Sequence, residues 1–198
     1  MDQRRIEFFW DPASPYTYLA STQIEALAAR HDAVIEWRPF VLGKVFEAAG
    51  NVAPATIPAK GRQLFVDLQR WARLYRVPLT MPKIFPIHSI SALRAGCAAN
   101  EHGCGAAYAR AIMAAYWVEG RDISQMAEIE DIANKAGLDG VALTTLATTQ
   151  PIKDQLRINT DEAIARGAFG APTFFCEGQM FWGNDRLAHL GAFLSGEL

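Results

Sequence analysis

The spacing of hydrophobic positions switches repeatedly between two periods along the chain. Arg5 to Trp10 is a short apolar run rich in aromatics, which reads as a buried strand. From Tyr16 to His31, Tyr18, Leu19, Thr22, Ile24, Leu27 and Ala28 return at helical spacing and form a mostly apolar stripe. Val34 to Phe40 alternates again. Val34, Glu36 and Arg38 take one side, Ile35 and Trp37 the other, and Pro39 ends the run. Strand, helix and strand in so short a length make a βαβ unit, with parallel strands and a right-handed crossover.

The middle of the chain reads as helix after helix. Leu42 to Ala49 is a short one, closed by Gly50 and Asn51. A Pro-rich loop, Val52 to Pro58, leads to a helix from Lys60 to Tyr75 with Leu64, Leu68, Trp71, Ala72 and Tyr75 on one face. Pro78, Pro82 and Pro86 keep Val77 to Ile87 irregular. Ser89 caps a helix to about His102, Gly103 and Gly105 break it, and Ala106 to Trp117 resumes. A further helix ends at Ala136, and others span Asp139 to Thr149 and Pro151 to Arg166. No strand and no internal repeat is expected in this span. The chain then returns to strands: Thr173 to Cys176 and Gln179 to Trp182 form a hairpin around Glu177-Gly178. Gly183-Asn184-Asp185 caps a last helix, Arg186 to Leu194. A βαβ unit and a ββα unit sharing one mixed sheet is the thioredoxin arrangement. The expected architecture is therefore an α/β, thioredoxin-like domain, residues 1–41 and 160–198, with a large all-helical insertion, residues 42–159.

Composition narrows the function. The 198 residues are 51% hydrophobic and 20% charged, with a formal net charge of -2, as suits a globular chain. The near balance of charge argues against nucleic acid or a membrane surface as partner. Met1 to Arg5 runs straight into a strand without the pattern of a signal peptide, and no apolar run approaches the roughly 20 residues that span a bilayer. The expected location is the cytoplasm. Cys97, Cys104 and Cys176 make an odd count without a C-x-x-C pair, so neither a disulfide framework nor a zinc site is expected. Cys97 and Cys104 read as small core residues. His31, His88, His102 and His189 have no metal-ligand spacing and read as surface or loop residues.

The candidate chemistry lies at three places. Ser14 precedes Pro15, a residue favoured at the first helical position, so Ser14 reads as the N-cap of the first helix. Unpaired N–H groups and the helix dipole make that end suitable for an anion or a thiolate. In a thioredoxin-like fold this is where C-x-x-C would stand. Here the two positions are Ser14 and Thr17, which excludes thiol–disulfide exchange by the protein's own side chains at that site. A purely structural cap remains the alternative. The second place is Gly170-Ala171-Pro172-Thr173. A cis Pro172 beside the first helix would leave the Ala171 backbone to pair with an extended peptide; an ordinary strand-start proline is the alternative. The third is Phe181 to Arg186. Backbone N–H groups at Asn184 and Asp185 can hold a carboxylate, and the Asp185 side chain can accept from an ammonium group. Those are the two groups of an amino-acid head; a plain cap with a favourable first-turn charge is the alternative.

These segments, taken in order, resemble the 2-hydroxychromene-2-carboxylate isomerases and, more distantly, the kappa-class glutathione transferases. The matching stretches are Phe9-Trp10-Asp11 through Ser14-Pro15-Tyr16 and Tyr18-Leu19-Ala20, Gly50-Asn51-Val52, Val66 to Trp71, Val77-Pro78-Leu79, Phe169 to Thr173, and Trp182 to Leu187. The resemblance implies a glutathione-dependent isomerase, with Ser14 activating the glutathione sulfur. It also implies that Ala171, beside Pro172, pairs with the cysteinyl backbone, and that Trp182, Gly183, Asn184 and Asp185 hold the γ-glutamyl end. Asn51 and Lys60 stand at kappa-class glutathione contacts. Phe85 matches an aromatic position of the substrate side. Phe46, Thr56 and Ile57 stand where the naphthalene-pathway isomerases carry basic or polar residues, and Lys44 or Arg62 would have to compensate. The implied reaction converts 2-hydroxychromene-2-carboxylate to trans-o-hydroxybenzylidenepyruvate. The alternatives are a kappa-type transferase or peroxidase acting on small electrophiles, and a non-catalytic binding module. Aromatics in the helical part and the resemblance itself point to a homodimer.

Overall fold

Ile6, Phe8 and Trp10 face one side of β1 (Arg5–Trp10) and Phe9 faces the other, all of them buried. A strand apolar on both faces belongs inside a sheet. The computed structural model describes residues 3–198. In it the sheet runs in the order β2 (Val34–Pro39), β1, β3 (Thr173–Cys176), β4 (Gln179–Trp182). β2 lies parallel to β1 and is reached through α1 (Pro15–Arg30); β3 and β4 are antiparallel additions on the other side. The register sets Trp37 and Phe174 on either side of Phe8, with ring centroids 4.9 and 4.8 Å from it. Between Pro39 and Thr173 the chain has no strand. It forms α2 (Leu42–Ala48), α3 (Pro58–Tyr75), α4 (Ile90–Glu101), α5 (Gly105–Trp117), α6 (Met126–Lys135), α7 (Gly140–Ala147) and α8 (Gln150–Ala165). α9 (Leu187–Ser195) closes the fold. This is the expected thioredoxin-like fold with a helical insertion.

The two faces of the sheet are built differently. On the Phe8 face, α1 and α9 share one continuous core with α4 and α5, including Trp10, Tyr108, Tyr116 and Trp117. Gly96 lets α4 approach β1: a Cβ there would lie 2.9 Å from the Trp10 ring. On the Phe9 face, α2 and α8 pack around Phe9, Phe40, Val45, Ala163 and Phe175. This second face also carries charge. Arg38 donates to Glu7 at 3.0 Å and to Glu162 at 3.1 Å, and Arg166 donates to Glu7 at 2.7 Å and to Glu162 at 2.9 Å. The Arg166 guanidinium lies 3.7 Å from the centre of the Phe175 ring and that of Arg38 4.8 Å from Phe9. The polar stripe of β2 is therefore roofed at Arg38 by the last turns of α8.

Three details differ from the sequence reading. α3 starts at Pro58, two residues earlier than expected, because Pro fits the first helical position; a 3-10 turn, Pro54–Thr56, shapes the loop before it. Ser89 precedes α4, but its side chain makes no cap. The last helix does not begin at Arg186. Gly183, at φ 106°, opens a 3-10 turn over Asn184–Arg186, and α9 follows from Leu187. Cys97 is buried, as expected of a core residue, and Cys104 only half-buried. Burial pushes the Cys97 thiol up to about 12.

The charged roof has a testable pH signature. Hydrogen bonds from Arg166 to Glu7 and from Arg38 to Glu162 hold both carboxyls below the ordinary glutamate value of 4.5. The unfolded chain therefore takes up these protons first as pH falls. The stabilisation is full above about pH 4.5 and is lost below it as pH drops through the lowered values. Arg38→Met should cost roughly 3 kcal/mol at pH 7, seen as a melting temperature lower by about 10 °C. It should also flatten the fall in urea midpoint between about pH 5 and 3.

Candidate functional site

β1 ends at Trp10 and the chain turns through Asp11, Pro12 and Ala13 into α1. Ser14 has extended backbone angles, φ -93° and ψ 122°, and its Oγ accepts the Thr17 N–H at 3.3 Å. It is thus the N-cap, with Pro15 at the first helical position. The same Oγ donates its proton to the Ala171 carbonyl at 3.0 Å. The Ala171–Pro172 peptide is cis. One hydroxyl therefore ties the start of α1 to the start of β3. Thr17, the other position of the missing C-x-x-C, is fully buried, and its Oγ1 has no partner.

The Ser14 loop is held from below by a carboxylate. Asp11 is 1% exposed. Its Oδ1 accepts from the Ala13 N–H and its Oδ2 from the Leu42 N–H, both at 2.9 Å. Burial pushes its pKa up, and those hydrogen bonds pull against that shift. Beside it the Trp117 indole donates to the Pro12 carbonyl at 2.8 Å, and Phe85 meets Trp117 edge to face. Two of the helical segments are thereby fastened to the loop that carries Ser14.

A cleft of about 430 Å³ opens at Ala171, the residue that Ser14 bonds; Ser14 itself is buried and does not line it, nor does Pro172. Ala171, Trp182, Gly183, Asn184 and Asp185 line it, so five of the residues singled out in the sequence converge there. Trp182 stands against Gly170, where a Cβ would lie 2.4 Å from the indole nitrogen, and its ring tilts onto Phe169. Asn184 is buried and its carbonyl accepts from the Tyr75 hydroxyl at 3.2 Å. Asp185 is exposed and paired with Arg186. Asn51 reaches the same edge, donating to the Phe169 carbonyl at 3.3 Å. Lys60, Arg62 and Thr56 are exposed and Ile57 half-buried, and none of them lines this cleft. Phe46 is half-buried on α2 and is also outside it. Lys44 is engaged by Glu47 at 2.8 Å.

Three further residues complete the cleft wall. Tyr16 donates to Asp67 at 3.0 Å and the Trp71 indole donates to the same oxygen at 3.1 Å. Burial, together with the Asp67 charge, pushes the Tyr16 hydroxyl well above its ordinary range, so it stays protonated as a donor. Asp67 and Trp71 are four apart on α3, a spacing readable in the sequence. That α1 would bring Tyr16 to them is a tertiary fact. Among the described residues no cluster suits a metal ion, and no helix is long and apolar enough to cross a membrane.

The fold and the serine-capped helix define a thioredoxin-type domain without its redox pair. The family model for the DSBA-like thioredoxin domain matches residues 5–195. A 2-hydroxychromene-2-carboxylate isomerase of Sphingobium xenophagum is 36% identical over 96% of this chain and 98% of its own. The solved structure of a 2-hydroxychromene-2-carboxylate isomerase superposes with a TM-score of 0.89 at 30% identity, covering 98% of this chain and 95% of the other. Human glutathione S-transferase kappa 1 is 30% identical over 94% of this chain and 90% of its own. The chain belongs to the DSBA-like thioredoxin domains and, within them, to the 2-hydroxychromene-2-carboxylate isomerase family, which is related to the kappa-class transferases.

The Asp11 knot generates a stability prediction. Asp11→Ala leaves the Ala13 and Leu42 N–H groups unpaired in a buried place and should lower the unfolding free energy by about 2–4 kcal/mol. Asp11→Asn keeps a carbonyl acceptor and should lose less. Urea denaturation followed by circular dichroism checks the order.

Proposed function

We propose that this protein is a glutathione-dependent isomerase that converts 2-hydroxychromene-2-carboxylate to trans-o-hydroxybenzylidenepyruvate. The observation that carries the reading is the position of the Ser14 hydroxyl, at a helix N-terminus and against the Ala171 carbonyl. The donor set suits a γ-glutamyl peptide. Ala171 offers a backbone edge, the first N–H groups of the Asn184–Arg186 turn suit a carboxylate, and the Asp185 carboxylate suits an ammonium group. Asn51 and Lys60 would close the other end, Lys60 being free to pair with a glycyl carboxylate. Bound glutathione would supply a sulfur nucleophile, whose reversible addition to a conjugated double bond allows that bond to rotate.

The chain's own part is to make the anionic sulfur available. An ordinary thiol is only a few per cent ionised at pH 7. A helix N-terminus and one hydroxyl donor stabilise an adjacent anion by roughly 1–3 kcal/mol, or about one to two pKa units. Ser14 has a single proton, and at rest it goes to Ala171. A peptide N–H arriving at the Ala171 carbonyl competes for that acceptor and favours turning the Ser14 hydroxyl toward the sulfur. Binding and activation are then linked through one oxygen. Phe46 and Phe85, which lie outside the cleft proposed for glutathione, would flank the aromatic part of the substrate beside it, with Thr56 and Ile57 at its edge.

One observation favours a second reading, a kappa-type transferase or peroxidase. Phe46, Thr56 and Ile57 offer no cation to a substrate carboxylate. In that case a halogenated aromatic acceptor gives a stable conjugate that accumulates.

The test follows absorbance of the substrate with and without glutathione. Turnover should require glutathione, which should be recovered unchanged. Ser14→Ala should lower kcat/KM by about one to two orders of magnitude. Asp185→Ala should raise the glutathione concentration needed for half-maximal rate with a smaller effect on kcat. Full activity without glutathione, or in Ser14→Ala, would reject the mechanism.

A further inference from the structure

Arg94, in the first turns of α4, is half-buried, and its Nε is sealed from water without a hydrogen-bond partner. No ion pair engages its guanidinium among the described residues. The side chain faces a cavity of about 600 Å³ between α2, α4 and α8, with walls from Val41, Ile90, Leu156 and Ile164. Of the other cations at the rim, Lys44 is held by Glu47 at 2.8 Å and Arg157 by Asp161 at 3.4 Å. Lys153 has no such partner among the described residues. The cavity is bordered by α8, on the Phe9 face of the sheet, and shares no lining residue with the cleft at Ala171 and Asp185.

We infer that this cavity is a second ligand site, which takes a small carboxylate with an apolar body. A half-buried guanidinium whose Nε is sealed without a partner carries a desolvation cost that an anion beside it offsets. Its planar fork matches a carboxylate in two parallel hydrogen bonds, which a lysine cannot reproduce. The walls accept a ring or a short hydrocarbon, and the volume lies in the range of small-molecule pockets. Lys153 adds a second positive charge at the mouth. The inference rests on Arg94 and its surroundings and stands whatever reaction occurs at Ser14.

The probe is 2-naphthoate, with 2-naphthamide as its uncharged counterpart. Titration calorimetry should give one-to-one binding of the carboxylate, and amide shifts in the NMR spectrum should move along α2 and α8. Arg94→Gln should weaken 2-naphthoate at least about tenfold, while its melting curve stays close to that of the unmodified protein. 2-Naphthamide should bind the unmodified protein more weakly by a similar factor. Leu156→Phe, which fills the cavity and keeps the charge, should also abolish binding and serves if the arginine variant does not fold. Equal affinity in both variants, shifts confined to Ala171–Asp185, or no binding to the unmodified protein would overturn the inference.

Discussion

A single buried carboxylate sets the geometry from which the rest follows. Asp11 has left water almost entirely, and it does so at the point where β1 gives way to the Ser14 loop. Such a group is tolerated only when its lone pairs are met. Here they are met by two different segments: the loop itself at Ala13 and the start of α2 at Leu42. The requirement to satisfy one side chain therefore fixes the start of the helical insertion against the Ser14 end of the sheet. Ser14 inherits its position from that arrangement, since Ala13 and Pro15 leave it little freedom.

The sheet separates two tasks. Its Phe8 face is apolar, and it joins α1 and α9 to the helical core. Rigid packing there keeps the N-terminus of α1 aimed at β3. The Phe9 face mixes aromatic rings with two guanidiniums and two carboxylates, and α8 closes over them. The ion network contributes specificity of docking more than net stability, because desolvation cancels much of its Coulombic gain. α8 then forms one wall of the Arg94 cavity, so that cavity has a stiff floor. The cleft at Ala171 instead is bordered by the edge strand β4, where Trp182 packs against Gly170 and Phe169 and is still 43% exposed.

Much of this was legible in the sequence for a physical reason. Strong periodicities survive without tertiary information, so β1, α1, β2 and the hairpin at Glu177-Gly178 were readable to within a residue or so. Ser14-Pro15 announces a helix start through local chemistry alone. What could not be read depends on contacts across the chain. Ser89 looks like a cap, but the backbone it precedes takes no bond from its side chain. Arg38 looks like half of a polar stripe until α8 brings Glu162 to it. Tyr16 marks only the first turn of α1 until Asp67 arrives from α3. The 3-10 turn after Gly183 delays α9 because the positive φ of that glycine redirects the backbone, a choice no residue spacing encodes.

The roof of α8 also divides the protein's charges by their access to dissolved ions. At ordinary ionic strength the screening length is about 8 Å, and it acts on pairs that water surrounds. Lys44–Glu47 and Arg157–Asp161 are such pairs, while the Arg38 side chain is only 13% exposed. Brine would therefore loosen the rim of the Arg94 cavity and leave its floor docked. Salt thus becomes a handle on the mouth of that cavity that leaves the scaffold behind it in place.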